Sequence, residues 1–260
     1  MKSTFRVNPV TYFLLLSVLL CGYFNYFVVI FVILFFHEIG HLMMIWLFGE
    51  KIKMVEILPF GALIKMDMQM NISSVKLLLI SSFGIVMQLL LYIPFMYLYN
   101  NGLINDLTYK IFLIYNRLII LFNVIPVIPL DGSKIFGSIL ELIMPYKLHL
   151  KIVNIISVLG IVIFFSMSDF NLSFVVIVCF LIIETVKLIR NHNYLFNNFL
   201  LERYLYKIEH KRVKRVRCIN QIYKNYYNFI NNIRERDVLS AKFKPFNWQG
   251  HYFLVLSICL

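Results

Sequence analysis

The sequence predicts an all-α polytopic membrane protein: about six transmembrane helices, a short membrane-associated β-hairpin and a basic cytoplasmic tail. Three observations predict it. Of 260 residues, 60% are hydrophobic and 15% are charged, and mean hydropathy is +0.78, the profile of an integral membrane chain. Apolar stretches recur near 9–24, 27–48, 75–99, 109–128, 151–167 and 172–189, each close to the ~20 residues a bilayer core requires. Lys and Arg fall almost wholly on one side of the resulting topology.

The first stretch follows Lys2 and Arg6 like a signal peptide, but no A-x-A cleavage site comes after it, so it is read as a retained span. Residues 22–25 then make a tight turn into the second span. With the N-terminus inside, segments 1–8, 49–74, 129–150 and the tail carry Lys2, Arg6, Lys51, Lys53, Lys65, Lys134, Lys147 and the basic C-terminus. The opposite turns, 22–26, 100–108 and 168–171, hold no Lys or Arg. The asymmetry places both termini in the cytoplasm.

The second span contains His37-Glu38-Ile39-Gly40-His41. On a helix, residues four apart share a face, so both imidazoles can reach one metal ion. Glu38, rotated about 100° from His37, is placed to act on water as a general base without being a ligand. Three titratable groups inside an apolar span are costly and need a compensating role. The half of the span that holds them is the cytoplasmic one.

After this helix, Met54–Met66 reads as two short apolar runs around Pro59-Phe60-Gly61. Either a hairpin or an interfacial loop fits. The third span carries Ser81, Ser82 and Gly84, small residues suited to close helix packing. The fourth ends Asn123-Val124-Ile125-Pro126-Val127-Ile128-Pro129-Leu130-Asp131-Gly132. Two prolines break the helix where hydrocarbon would still surround it, which is tolerated only against protein or a water-filled cavity. Asp131 has two readings. It can cap the helix that starts near Gly132, or it can be the third protein ligand that two histidines require. The metal reading leads, because capping leaves the other three features unexplained.

Arg117 in the fourth span is expected to snorkel or to pair with Asp106. Glu184, near the cytoplasmic end of the sixth, is expected to pair with Lys187. It is also the fallback third ligand. His149, His192, His210 and His251 lie outside the membrane core and need no metal. Four cysteines are scattered without C-x-x-C spacing, so no zinc–thiolate site is expected.

Residues 187–260 hold 14 Lys/Arg against 4 Asp/Glu, net +10, whereas residues 1–186 hold 11 against 9, net +2. The basic part reads as a topology signal that also meets anionic lipid headgroups; nucleic-acid binding is not expected. Asn191–Lys244 looks amphipathic or partly disordered. Tyr252–Leu260 is apolar but far too short to span.

The HEIGH motif, the Pro-Phe-Gly loop and N-x-x-P-x-x-P-L-D-G together resemble the site-2 protease family of intramembrane zinc metalloproteases, over about residues 5–190. Six spans with the metal helix second are most similar to its sporulation branch, whose substrate is pro-sigma-K. The resemblance implies one Zn2+ per chain, held by His37, His41 and Asp131, with Glu38 as catalytic base. It implies that Asn123, Pro126 and Pro129 help to orient substrate. It also implies that the loop of Pro59, Phe60 and Gly61 belongs to a hairpin that an extended substrate joins as a strand. The partners it implies are a membrane-associated protein substrate and membrane regulators. The location it implies is a bacterial cell membrane, the outer forespore membrane in the sporulation branch. The sequence departs from the family at Gly132-Ser133, where Gly-Gly is usual, and at Gly61-Ala62, where PFGG is common. That branch often ends in a CBS-type domain. None is recognisable here, so the expected division is a metalloprotease domain at 1–190 and a basic tail at 191–260.

Two readings from other classes remain. A transporter would use the intramembrane His, Asp and Asn as an ion path, although no internal repeat supports it. A non-catalytic scaffold would use the spans and tail for partner binding and hold no zinc.

Overall fold

The computed structural model describes residues 4–7, 22–58, 61–66, 70–166, 172–206, 208, 210 and 212–243. They form an all-α membrane architecture with two small sheets. Among the described residues, Phe24–Leu47, Ser74–Asn100, Asp106–Val124 and Tyr146–Ser166 are long and apolar enough to cross a membrane. They correspond to the second to fifth expected spans. Most of the first expected span lies outside the described residues. The sixth is a helix, Leu172–Arg190, whose last turns carry Glu184, Lys187 and Arg190. The chain divides into two compact units: Met1–Gln69 with Leu78–Ile125, and Met70–Leu77 with Pro126–Leu260.

In the first unit, strand β1 (Thr4–Val7) pairs parallel with β2 (Ile52–Leu58), which pairs antiparallel with β3 (Gly61–Met66). The expected hairpin is therefore present, with the N-terminal strand added to it. Helix α1 (Phe24–Leu47) has 24 residues, about 36 Å at 1.5 Å per residue, enough to cross a hydrocarbon core. Its buried residues, Val29, Ile33, His37, Gly40, His41, Met44 and Ile45, form one stripe at helical spacing. Its other faces stay apolar, with Phe31, Phe35 and Trp46 exposed, as befits lipid contact. The polar motif thus points into protein, where its cost can be offset.

Helices α2 (Ser74–Leu90) and α3 (Tyr92–Asn100) form one span with a break at Leu91. Pro94 explains the break: lacking an N–H, it cannot donate to the carbonyl of Leu90. Helix α4 (Asp106–Val124) starts with Asn105 as cap, its side chain accepting from the Thr108 N–H at 2.8 Å. It stops four residues before the end of the expected span because Pro126 forces Ile125 into an extended conformation. Asp106 takes Lys110 at 3.7 Å and the Tyr99 hydroxyl at 2.6 Å as partners. The expected pairing with Arg117 gives way to these nearer groups, and Arg117 is exposed. Val29, Ile33, Leu91, Ile111 and Phe112 form the apolar core of this unit, with Phe95 stacked on Phe112 at 3.7 Å.

The second unit contains helices α5 (Asp131–Ile143), α6 (Tyr146–Ser166), α7 (Leu172–Arg190) and α8 (His192–Leu205). Strands β4 (Val213–Val216), β5 (Tyr227–Ile230) and β6 (Ile233–Arg234) follow, then helix α9 (Glu235–Phe243). The segment between Pro126 and Leu130 is not helical and includes a cis Ile128–Pro129 bond. Its freed backbone groups find side-chain partners. The Ile128 N–H donates to Ser157 Oγ at 3.2 Å, and Thr185 Oγ1 donates to the Ile128 carbonyl at 3.4 Å. This satisfies the requirement on broken backbone at membrane depth.

The sequence suggests amphipathic or disordered structure beyond residue 190. The described residues instead build a core there, with Tyr146, Leu150, Phe196, Phe199, Leu200, Ile222, Ile230, Val238 and Leu239 packed together. Buried ion pairs fix it. Arg203 pairs with Glu235 through both nitrogens of one edge, and its remaining donors reach the carbonyls of Lys224 and Tyr226 at 2.8 Å. Lys224 reaches Glu141 at 2.8 Å, and Ser74 donates to the same carboxylate at 2.7 Å. These charges are compensated, which is the condition for burying them.

Candidate metal centre

The H-E-x-x-H motif lies on the buried stripe of α1. One helical turn brings Nε2 of His37 and Nε2 of His41 to 3.0 Å, with the rings nearly perpendicular and their centroids 4.7 Å apart. The other ring nitrogens are engaged. Nδ1–H of His41 donates to the backbone carbonyl of Ile80 at 2.8 Å. Nδ1 of His37 is 3.0 Å from Gln88 Oε1. A carbonyl can only accept, so His41 carries its proton on Nδ1 and its Nε2 is a lone pair. The two Nε2 atoms of the turn meet at one point, and imidazole nitrogens brought together in this way are the donor type of a metal site. The donor chemistry of this helix turn therefore fits a metal ion.

Two glycines let α2 approach this face. A Cβ on Gly40 would stand 2.6 Å from the Phe83 carbonyl oxygen. A Cβ on Gly84 would stand 2.6 Å from Cε1 and Nε2 of His41 and 2.8 Å from Cε1 of His37. Both are distances that real Cβ atoms do not adopt. The small residue expected at Gly84 for helix packing thus serves the histidines directly. Glu38 is half-buried on the same helix.

Asp131 is the first residue of α5 and is buried, at 5% exposure. It is not the cap. Leu130 holds that position and no side-chain cap is made. Asp131 Oδ1 instead lies 2.8 Å from Nζ of Lys134. Imidazole and carboxylate are the donor types of a catalytic zinc site, which takes three protein ligands and leaves one position open. Asn123 sits half-buried on the last turn of α4, and Pro126 and Pro129 are half-buried in the non-helical segment that follows. Gly61 opens β3, paired with Leu58. Pro59 and Phe60 lie outside the described residues. Glu184 pairs with Lys187 at 3.5 Å, as the sequence predicts.

Gln88 and Asn116 were not singled out in the sequence. Both are fully buried polar amides within apolar spans, the signal that drew attention to His37 and Asp131. Neither residue type commonly binds zinc, which is why that signal alone says little.

No family model matches the chain. A search of solved structures finds the site-2 protease from Methanocaldococcus jannaschii, at TM-score 0.56 and 22% identity, covering 72% of this chain and 91% of that one. The chain has the fold of a site-2 protease. Among curated proteins it is similar to stage IV sporulation protein FB of Bacillus subtilis (strain 168), 27% identical over 204 residues, covering 76% of this chain and 70% of that protein. The site-2 protease likeness expected from the motifs therefore stands on both fold and sequence. The chain's four long apolar helices agree with a membrane location.

Proposed function

We propose that the protein is an intramembrane zinc endopeptidase that cleaves a membrane-associated protein near the cytoplasmic face. The observation that carries this reading is the pair of Nε2 atoms at 3.0 Å inside a buried H-E-x-x-H turn. His37, His41 and Asp131 would hold the ion. Bound there, zinc would polarise a scissile carbonyl and acidify water. Glu38 takes the proton of the attacking water and returns it to the leaving amine nitrogen as the peptide bond breaks. Asn123, Pro126 and Pro129 orient the substrate chain. The substrate meets the site in extended form, and pairing with the hairpin around Gly61 replaces the hydrogen bonds it loses on unwinding.

Similarity to a sporulation protein supports a substrate of the pro-sigma factor class, pro-sigma-K in particular. On this reading the bacterial membrane is the outer forespore membrane, with membrane regulators as further partners. Both termini face the cytoplasm, residues 1–190 carry the chemistry, and basic residues of 191–260 meet anionic headgroups.

The test is Glu38→Gln in protein purified with its zinc content measured. The expected result is normal zinc and a loss of cleavage of co-expressed substrate by at least a hundredfold. Normal zinc with cleavage within tenfold of wild type would refute the general-base role. Absence of zinc from the wild-type protein would refute the metalloprotease reading and favour a transporter or scaffold.

A further inference from the structure

We infer that Gln88 and Asn116 are positioning residues that set the tautomer of His37. The inference rests on the metal reading above only for its consequence, since the hydrogen-bond pattern stands by itself. Asn116 Nδ2 donates to the backbone carbonyl of Gln88 at 3.1 Å. That carbonyl can only accept, so the amide of Asn116 has one orientation. Its Oδ1 then faces Gln88 Nε2, which donates to it at 3.4 Å. The Gln88 amide is thereby oriented too, and its Oε1 faces His37 Nδ1 at 3.0 Å. An amide oxygen accepts only, so His37 carries a proton on Nδ1 and turns Nε2 toward His41.

The same state reaches His41 by a shorter route, through the Ile80 carbonyl at 2.8 Å. Both ligands of the motif are thus preset by acceptors on α2, one from the backbone and one from a side chain. The side-chain route spans three helices, α1, α2 and α4. Gln88 and Asn116 are both at 0% exposure, so water does not compete for these bonds. Partners that hold a ligand's second ring nitrogen typically contribute 10–100-fold to metal affinity.

The test uses full-length protein in detergent with isotope-labelled histidine, observed by nitrogen NMR without metal, and then zinc affinity by chelator competition. Wild type is expected to show His37 protonated on Nδ1 alone. Gln88→Met, similar in length but without the acceptor, is expected to show both tautomers and to bind zinc 10–100-fold more weakly. Asn116→Leu is expected to shift both readouts the same way by a smaller factor. Gln88→Glu restores an acceptor and is expected to return His37 to the Nδ1–H form, which a packing role would not predict. A single Nδ1–H tautomer in Gln88→Met would overturn the inference, as would zinc affinity within twofold of wild type in that variant. If wild type shows the tautomer but binds no zinc, the metalloprotease reading fails and the tautomer assignment stands. Should Gln88→Met fail to fold, Asn116→Leu decides by the same two measurements.

Discussion

Gly84 faces the imidazole of His41 so closely that a methyl on it would lie 2.6 Å from Nε2. A backbone without a side chain on α2 therefore sets the room left to the two imidazoles of α1. Gly84→Ala is expected to displace one or both imidazoles and to cost about 1–3 kcal/mol of overpacking. Zinc content of the purified variant should fall well below one per chain, with loss of cleavage. Full zinc occupancy in Gly84→Ala would show that the helices can separate without cost to the site.

Asp131 has Lys134 at 2.8 Å as a counter-ion, so ligation and simple pairing predict different results. Asp131→Asn should weaken zinc binding on the order of tenfold or more, while the protein stays folded and inserted. Lys134→Met should keep its zinc. If both variants keep zinc and activity, the carboxylate serves only the lysine, and Glu184 becomes the candidate third ligand.

The charge asymmetry makes the proposed topology testable. A reporter active only outside the cytoplasm is expected to be active when inserted at Gly102, in a turn free of Lys and Arg. Fused after Leu260 it should be silent. The reverse pattern would move His37 and His41 to the outer half of the membrane.

Burial holds His210 below the ordinary histidine range, and the Arg203 guanidinium adds to this while Glu235 opposes it. A depressed folded-state value means that the unfolded chain takes up the proton first as pH falls. Stability of the C-terminal core should therefore decline as pH drops below ~6.5. Amide-exchange protection factors of β4–β6, corrected for the intrinsic pH dependence of exchange, measure this at pH 7.5 and 5.5, with lower protection expected at 5.5. His210→Gln should reduce the difference, and an unchanged difference would assign it to other groups.

The parts of this architecture that were legible in the sequence share a reason. The spacing of His37 and His41 fixes a common helix face whatever surrounds it. Pro126 and Pro129 must break a helix anywhere, and the cost of burying a charge marks Asp131 inside an apolar region. The illegible parts depend on long-range partners or on a single residue of phase. Whether Asp131 or Leu130 occupies the cap differs by one position, which composition cannot resolve. Gln88 gains meaning only from Asn116, 28 residues away on another helix. The C-terminal sheet is built from strands of two to four residues, too short to show an alternating pattern. Its ion pair joins Arg203 to Glu235 across 32 positions, so each charge reads locally as a solvated surface residue.

Strand β1 lies along one edge of β2, with Thr4 opposite Met54 and Val7 opposite Ile57. That contact protects as well as builds. A chain trimmed past Val7 would bare the backbone N–H and C=O groups of β2, a template for pairing with any extended segment nearby. Such a protein would be prone to self-association through its sheet before any effect on cleavage could be measured. An affinity tag joined ahead of Met1 pulls on the same four residues, whereas one placed after Leu260 leaves the sheet's edge covered.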